Sequence, residues 1–397
     1  MKTLQPAAPQ PQVRSQAAQH GCVAIISRQA IAHNVDTIRH RLDQDGQRDG
    51  PRLWAVVKAD AYGHTLAHVL GGLGKADGLA VLELEEAHLC RAMGWRKPIL
   101  IMHARYTAAD LSDPGLAPLH VVVDNDEQLR HLEALAQRPG PHAWLRYRGS
   151  LNHSGFAAAA YRRAYDRLHK LLQAGRLSGL GLLQHYARAE EAEHLREERR
   201  DFEAVFAGLP GPRCTENSAA LLSDPGYAGS GDWVRSGIAL YGISPLAGVD
   251  GRGLGLLPAM TLSAPIHDVQ LLAAGDPLGY GATFRAAHQL RVGLVHCGYA
   301  DGYPRNLVAA GTVLVQGRPC RIIGRISMDS ITIDLSGHPQ ASPGTPAVLW
   351  GPPDLSVEAV ALSAGTIPAQ LCVGITGRVP RLAEAAEASG AAGSGSP

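Results

Sequence analysis

Lys58 stands directly after a run of four apolar residues, 54–57, in the stretch WAVVKADAYGH. Such a run predicts a buried strand, and in a parallel α/β fold the residue that ends a strand faces the ligand site. Partial removal from water disfavours the ammonium form of a lysine, and the free amine can then form a Schiff base with a carbonyl compound. Tyr62 follows four positions later, where a hydroxyl and turn amides suit an anion such as a phosphate. These residues alone also allow a lysine whose charged head simply reaches solvent at the strand end.

The elements that would position Lys58 alternate between short apolar runs and amphipathic helical patterns. Helical patterns occur, for example, at 125–138 and 159–174. The candidate strands are 53–57, 79–82, 98–103, 119–124, 143–147 and 180–185. This alternation predicts a parallel sheet, and the continuous apolar strands predict that both faces of the sheet are covered. An (α/β)8 barrel and an open doubly wound sheet both satisfy the pattern.

The pattern of apolar runs and turn residues changes after about residue 250. Strand-like runs are there separated by Gly, Pro and Asp turns, with little helical periodicity before 356–363. This pattern predicts a mainly antiparallel β domain, with 244–258 as the boundary region. We therefore expect an α/β domain over 21–249, a β domain over 250–382, and mobile tails at 1–20 and 383–397.

The bulk composition narrows the class of protein. A length of 397 residues suggests two domains. The 37 basic and 36 acidic residues nearly cancel, and no apolar run reaches the about 20 residues of a membrane span, so we expect neither a nucleic-acid nor a membrane partner. The first twenty residues lack the apolar centre of a secretory signal. Six scattered cysteines without metal-ligand spacing predict reduced thiols in the cytoplasm and no metal site.

Eight short stretches, taken together and in order, make this chain resemble the alanine racemase family. They are AVVKADAYGH (55–64), GLLQHYARAE (181–190), ENSAA (216–220), RSGIALYG (235–242), LGYGATF (278–284), GYADGYPR (298–305), IIGRISMDS (322–330) and GRVPR (377–381). Each stretch by itself is weak evidence for the family, but together the eight stretches span nearly the whole chain between the two tails. The resemblance implies an N-terminal (α/β)8 barrel of the TIM type, a C-terminal mainly antiparallel β domain and the cofactor pyridoxal 5'-phosphate (PLP). It also implies a homodimer in which each barrel site is completed by the partner's β domain.

The resemblance further implies which residues hold PLP. Lys58 would carry the cofactor covalently, His185 would lie against its ring, and Arg235 would donate to its pyridine nitrogen. The phosphate would be held by hydroxyls and backbone amides, with one amide side chain lining the site: Tyr62, Ser218, Gly237, Ile238 and Asn217. Taken singly, His185 could be a buried core histidine and Arg235 a member of a surface ion pair. The ordered match of all eight stretches favours the site.

At the substrate end, the resemblance implies two acid–base groups on opposite faces of the α-carbon, Lys58 and Tyr280 of the partner subunit. Such a pair can remove the α-proton from one face and return a proton to the other. PLP would supply the electron sink. Met328 of the partner subunit would contribute a backbone amide, and Tyr299 and Asp329 would also lie near the substrate.

Three positions depart from the family pattern, all at the substrate end. In RYRGSLNHSGF (146–156), His153 stands where the family has the arginine that engages the substrate carboxylate, and Arg146 replaces a lysine that is often carbamylated. The loss of that arginine is expected to weaken carboxylate binding by roughly 1.5–3 kcal/mol. Spacing does not show whether Arg146 or Arg148 takes its place. Ala369 replaces a tyrosine that narrows the entrance, which favours a broadened substrate range.

The resemblance therefore implies a PLP-dependent isomerase that interconverts L- and D-alanine, with a broadened substrate range as a further expectation from Ala369. Two alternatives stay open. The histidine at position 153 would also fit a PLP-binding paralogue with weak or no activity that acts as a carrier or regulator. A PLP decarboxylase of similar barrel is disfavoured by Arg235, because decarboxylation benefits from a protonated pyridine nitrogen.

Overall fold

The chain forms two compact units within the residues that the computed structural model describes. These residues are 21–43, 50–103, 105–136, 139–229, 231–307, 311–351 and 354–384. The barrel unit comprises Gln29–Ala259 and Pro352–Gly374, and the sheet unit comprises Met260–Gly351 with residues 21–28 and 375–384. The domain boundary expected between 249 and 250 stays a prediction. The tail residues 1–20 and 385–397 lie outside the described part of the chain.

The sheet of the barrel unit consists, within the described residues, of eight parallel strands. The first strand of the chain, β1 (Val23–Ile26), belongs to the sheet unit. The barrel strands are β2 (Arg52–Val56), β3 (Gly78–Val81), β4 (Ile99–Ile101), β5 (Leu119–Val123), β6 (Gly140–Arg146), β7 (Leu177–Leu183), β8 (Arg213–Cys214) and β9 (Trp233–Ser236). Neighbours pair in chain order from β2 to β8, and β9 pairs with β2. The Arg235 backbone N–H also donates to the Glu216 carbonyl (2.8 Å), just beyond β8, so the barrel is nearly closed. This confirms the predicted (α/β)8 barrel and excludes the open sheet.

The helices show the amphipathic pattern that the sequence predicts. The patterns at 125–138 and 159–174 appear as the helices Asp126–Glu133 and Ala158–Gln173. The second buries residues at helical spacing: Tyr161, Ala164, Tyr165, Leu168 and Leu171. The other α-helices of the described residues are Arg28–Leu42, Leu66–Val69, Leu84–Ala92, Ala108–Leu111, Ala192–Phe206, Ser218–Ser223, Val357–Ala364 and Pro368–Gly374. No single helix in the described ranges is long and apolar enough to cross a membrane.

The inside of the barrel is filled by large side chains from the strands. Trp54 of β2 stacks on Trp233 of β9 with ring centroids 3.9 Å apart, and both are buried. Two glycines make room for indoles of this core, which also contains Trp144. A Cβ added at Gly78 would lie 2.1 Å from Trp54, and one at Gly181 would lie 2.4 Å from Trp144. The barrel is therefore a packed core rather than a pore, and its functional space must lie where the strands end.

The sheet unit is mainly antiparallel, as predicted. Its strands besides β1 are β10 (Met260–Leu272), β11 (Pro277–Leu278), β12 (Phe284–Arg285), β13 (Leu290–Val295), β14 (Thr312–Val315), β15 (Arg318–Arg321), β16 (Ile331–Asp334), β17 (Pro346–Trp350) and β18 (Arg381–Ala383). The long strand β10 pairs antiparallel with β1, β13 and β17, and only β1 and β18 pair in parallel in the described part of this unit. A bulge between Ile266 and Asp268 shifts the register of β10 against β13.

All six cysteines of the chain are buried free thiols, as the sequence predicts. Cys22 and Cys297 of the sheet unit lie closest to each other, with their sulfurs 3.4 Å apart. Burial raises the pKa of the Cys372 thiol to about 12, which keeps this thiol protonated and unreactive at neutral pH.

Candidate active site

A left-handed turn directly after β2 presents Lys58 and Tyr62. Residues 59–62 have φ between 49° and 56°, although none of them is a glycine. Each residue in this conformation costs roughly 1–2 kcal/mol. The carboxylates of Asp60 and Glu86 help to hold the turn, because they accept backbone N–H bonds of 2.8 and 2.9 Å within and beside it. Strained backbone that is fixed by its surroundings is typical of functional sites, so this turn marks a candidate site independently of any motif.

A cavity of about 510 Å³ lies in the barrel unit beside this turn. Its lining contains most of the residues that the sequence singles out: Lys58, Tyr62, His153, His185, Asn217, Ser218, Arg235, Gly237 and Ile238. The remaining lining is largely apolar, with side chains such as Val56, Leu82 and Met102. A cavity of this size with a few convergent polar groups is typical of a small-molecule or cofactor site.

Lys58 is half-buried in this cavity, and its surroundings favour the neutral amine. Burial lowers the pKa of the Lys58 ammonium most. The Glu86 carboxylate opposes this shift, whereas the positive charges of Arg235 and Arg146 add to it. A lysine with a lowered pKa in a cavity supplies its free amine as nucleophile or base more readily than an exposed lysine does.

One end of the cavity gathers hydrogen-bond donors around Gly237. The Gly237 N–H donates to Ser218 Oγ (2.9 Å), and Ser218 Oγ lies 3.3 Å from Ser236 Oγ. A Cβ added at Gly237 would lie 2.6 Å from the Tyr62 hydroxyl, so only glycine lets these groups meet. Burial raises the pKa of Tyr62 to about 12, which keeps its hydroxyl protonated as a donor. Two hydroxyls and backbone amides in close approach form a cradle whose chemistry fits a phosphate group.

Arg235 lies deep in the cavity wall and is only 5% exposed. Its Nη1 donates to the Cys214 carbonyl (2.6 Å) and its Nη2 to the Gln184 carbonyl (2.7 Å). Nε has no acceptor among the described residues, which leaves one N–H for a ligand. Burial first, and then the positive charges of Arg235 and Arg146, lower the pKa of His185 to about 3. The imidazole is therefore neutral at neutral pH and can lie flat against another ring.

At the substrate end, the structure shows which of the candidate side chains line the cavity. Arg146 is buried and lines the cavity, whereas Arg148 is exposed, does not line it, and donates weakly to Asn152 Oδ1 (3.4 Å). His153 is exposed but reaches the lining, with Nδ1 2.7 Å from Ser154 Oγ. Of the two arginines considered, Arg146 is therefore the one that can contact a ligand in this cavity.

Ala369 does not belong to the lining of the cavity. It lies half-buried in the helix Pro368–Gly374. This helix passes close behind the Lys58–Tyr62 turn, since a Cβ added at Gly63 would lie 2.2 Å from the Cys372 carbonyl oxygen. Ala369 thus sits on an element that adjoins the turn, and its role toward substrate stays a prediction.

Four predicted site residues lie in the sheet unit, where their side chains are exposed. Tyr280, Tyr299 and Met328 are 67%, 39% and 51% exposed. The Ala300 N–H donates to the Met328 carbonyl (3.0 Å), which brings the Tyr299 and Met328 segments together. Asp329 accepts from Arg378 Nη2 (2.8 Å). Large apolar side chains exposed close together on a folded unit are typical of interaction surfaces.

Two polar residues at or near the cavity were not predicted from the sequence. His103 lines the cavity, and its Nδ1 lies 2.8 Å from Oδ2 of the buried Asp124. Both residues end runs that were predicted as strands, 98–103 and 119–124. Their positions at the carboxyl ends of barrel strands were the signal that could have found them.

Comparison with known proteins gives concordant results. Residues 26–245 match the family described as "Alanine racemase, N-terminal domain", and residues 259–383 match "Alanine racemase, C-terminal domain". The alanine racemase of Bordetella petrii is 42% identical over 365 residues, covering 90% of this chain and 97% of that protein. The alanine racemase of Bordetella avium is 39% identical over 363 residues, with the same coverage. The crystal structure of the biosynthetic alanine racemase from Pseudomonas aeruginosa matches with a TM-score of 0.83 at 37% identity, covering 92% of this chain and all of that one.

Proposed function

The chain belongs to the alanine racemase family, and we propose that it is a PLP-dependent isomerase that interconverts L- and D-alanine. Members of this family depend on PLP. The observation that carries the proposal is the convergence in one cavity of a lysine with a lowered pKa, a cradle suited to phosphate and an arginine with a free Nε. The reading as a non-catalytic PLP carrier is not favoured, because the curated relatives are enzymes.

The residues present fit PLP. Tyr62, Ser218 and the Gly237–Ile238 backbone would hold its phosphate, and Arg235 Nε would donate to its ring nitrogen. An arginine keeps that nitrogen unprotonated, because two positive charges there would repel each other. His185, neutral in this site, would support the ring. When bound, PLP supplies the electron sink that makes the α-proton of an amino acid acidic.

Two side chains would move the α-proton. Lys58 Nζ, whose pKa is lowered by burial, would accept or return it on one face of the α-carbon. The phenol of Tyr280 of the partner subunit would serve the opposite face. Groups on both faces allow inversion without rotation of the substrate, and each contributes typically about 10²–10⁴-fold to the rate.

A homodimer is part of the proposal. The exposure of Tyr280, Tyr299 and Met328 on the sheet unit supports it, because these side chains would be covered and used at the partner's cavity. We also propose a cytoplasmic location, supported by six cysteines that are all free thiols.

Replacement of Gly237 by alanine is expected to weaken PLP binding by about tenfold or more. The added Cβ would lie 2.6 Å from the Tyr62 hydroxyl, so one phosphate donor must move away. Titration of the apoprotein with PLP, followed by absorbance, measures the effect. Gly226→Ala is the matched control, since a Cβ there meets nothing within 4 Å. Equal PLP affinity of the two variants would rule out the proposed phosphate cradle.

A panel of L-amino acids tests the substrate. PLP-loaded protein is incubated with each amino acid, and both enantiomers are separated by chiral chromatography, with released CO2 measured in parallel. We expect D-alanine from L-alanine and no CO2. If Ala369 widens the entrance, the wild-type protein also racemises larger amino acids, and Ala369→Tyr narrows the range toward alanine. PLP-loaded protein that racemises nothing in the panel would refute the proposed function.

A further inference from the structure

Buried arginines in this chain normally have hydrogen-bond acceptors. Within the described residues, four arginines are less than a tenth exposed: Arg91, Arg146, Arg199 and Arg235. Arg91 donates to four backbone carbonyls at 2.7–3.0 Å, and Arg199 donates to the Glu216 and Asp224 carboxylates. Arg235 donates to carbonyls of the barrel strands and the residues after them. This is the expected pattern, because a buried guanidinium without acceptors is costly.

Arg146 breaks this pattern. It is 9% exposed, yet its guanidinium donates no hydrogen bond to any residue in the described part of the chain. Its Nε is buried without a partner, as in Arg91 and Arg199, but those two arginines donate through their Nη groups and Arg146 does not. Its ion pair with Asp124 is long, at 3.7 Å between Nη1 and Oδ1. A buried cation with unused N–H groups therefore lines the cavity that also contains Lys58. Such a group calls for an anionic ligand.

Asp124 lies beside this arginine without consuming its donors. Asp124 is buried directly after β5, and its Oδ2 lies 2.8 Å from His103 Nδ1. Its Oδ1 faces Arg146 beyond hydrogen-bond distance. The carboxylate thus balances the charge of Arg146 and leaves the planar N–H fork free, which is the geometry that bidentate carboxylate recognition uses.

We propose that Arg146 binds the α-carboxylate of the amino acid substrate, held in place by Asp124 and His103. The proposal rests on the proposed function and names the group that anchors its substrate. An arginine at position 146 would thereby supply the anchor that His153 cannot supply as a permanent bidentate donor. The phosphate of PLP is not the ligand of Arg146, because the Tyr62, Ser218 and Gly237 cradle already accounts for it.

The test compares two small ligands, each of which carries only one of the two charged groups of alanine. Propionate is alanine without its amino group, and ethylamine is alanine without its carboxylate. Calorimetry on PLP-loaded protein in chloride-free buffer measures the affinity for each probe. Arg146→Gln is expected to weaken propionate binding by about tenfold or more, and to leave the affinity for ethylamine within about twofold. The KM for L-alanine should rise in step with the propionate constant.

Two further variants sharpen this result. Arg148→Gln removes an exposed arginine outside the lining and should change neither affinity. Arg146→Lys keeps the charge beside Asp124 and should weaken propionate binding less than Arg146→Gln; it carries the test if the glutamine variant fails to fold. Its melting temperature and PLP content show that the site is intact.

Several outcomes would overturn the proposal. These are a wild-type protein that does not bind propionate, an Arg146 variant that binds propionate like the wild type, and an equal loss for both probes. A loss of propionate binding in His153→Gln instead would also overturn it, because the anchor would then be the histidine. None of these measurements requires turnover, so a wild-type protein without racemase activity would refute the proposed function independently of the anchor.

Discussion

Lys58→Ala is expected to lower the racemisation rate by about 10²–10⁴-fold or more. The variant loses both the amine that would hold PLP covalently and the group that would move the α-proton on one face. Chiral chromatography of alanine measures the rate. Borohydride reduction of the PLP-loaded wild type, followed by peptide mass spectrometry, shows which lysine carries the cofactor.

The matched control is Lys75→Ala. Lys75 is exposed, pairs with Asp36 on the surface, and its replacement should leave full activity. A modified lysine other than Lys58 would show that the cavity beside the Lys58 turn is not the catalytic site. A Lys58→Ala variant that racemises at the wild-type rate would show the same.

Tyr280→Phe is expected to lower the racemisation rate by a similar factor of about 10²–10⁴, but with a different signature. The variant keeps Lys58 and the whole phosphate cradle, so PLP should bind normally. One of the two faces of the α-carbon loses its acid–base group. We therefore expect one alanine enantiomer to keep exchanging its α-proton in D2O while the other enantiomer exchanges far more slowly. Proton NMR of each enantiomer, incubated separately, measures this asymmetry.

Tyr165→Phe provides the comparison, because it removes a tyrosine hydroxyl that donates to the Pro210 carbonyl away from the cavity lining. It should racemise at the wild-type rate. Equal slowing of exchange for both enantiomers in Tyr280→Phe would contradict the two-face arrangement. So would an unchanged rate.

The strands that bury whole apolar runs could be predicted from the sequence, and the short or polar ones could not. The runs at 53–57 and 119–124 appear as β2 and β5 with shifts of a single residue at their ends. β8 has only two residues, Arg213–Cys214, which is too short for any periodicity. β9 contains the buried Arg235. A charged residue interrupts the apolar run by which a buried strand is recognised in a sequence.

The cofactor end of the site was predictable because each residue type there follows from the chemistry of the group it would hold. The left-handed turn at 59–62 was not, since alanine and tyrosine rarely adopt positive φ and the single Asp60 is too weak a signal for four consecutive residues. Spacing could not show which of Arg146 and Arg148 faces the site, because residues two apart in a strand point to the same side. The separation came from local geometry: β6 ends at Arg146, so Arg148 leaves the barrel and turns to Asn152.

Loss of the α-proton from L-alanine in D2O is the most direct measure of whether this site is a racemase. PLP-loaded wild-type protein is incubated with L-alanine, the α-proton signal is followed by NMR, and the enantiomers are separated at the end. We predict that the α-proton signal disappears and that D- and L-alanine reach equal amounts, both deuterated at the α-carbon. Protein that binds PLP but leaves the α-proton of L-alanine in place would contradict this function.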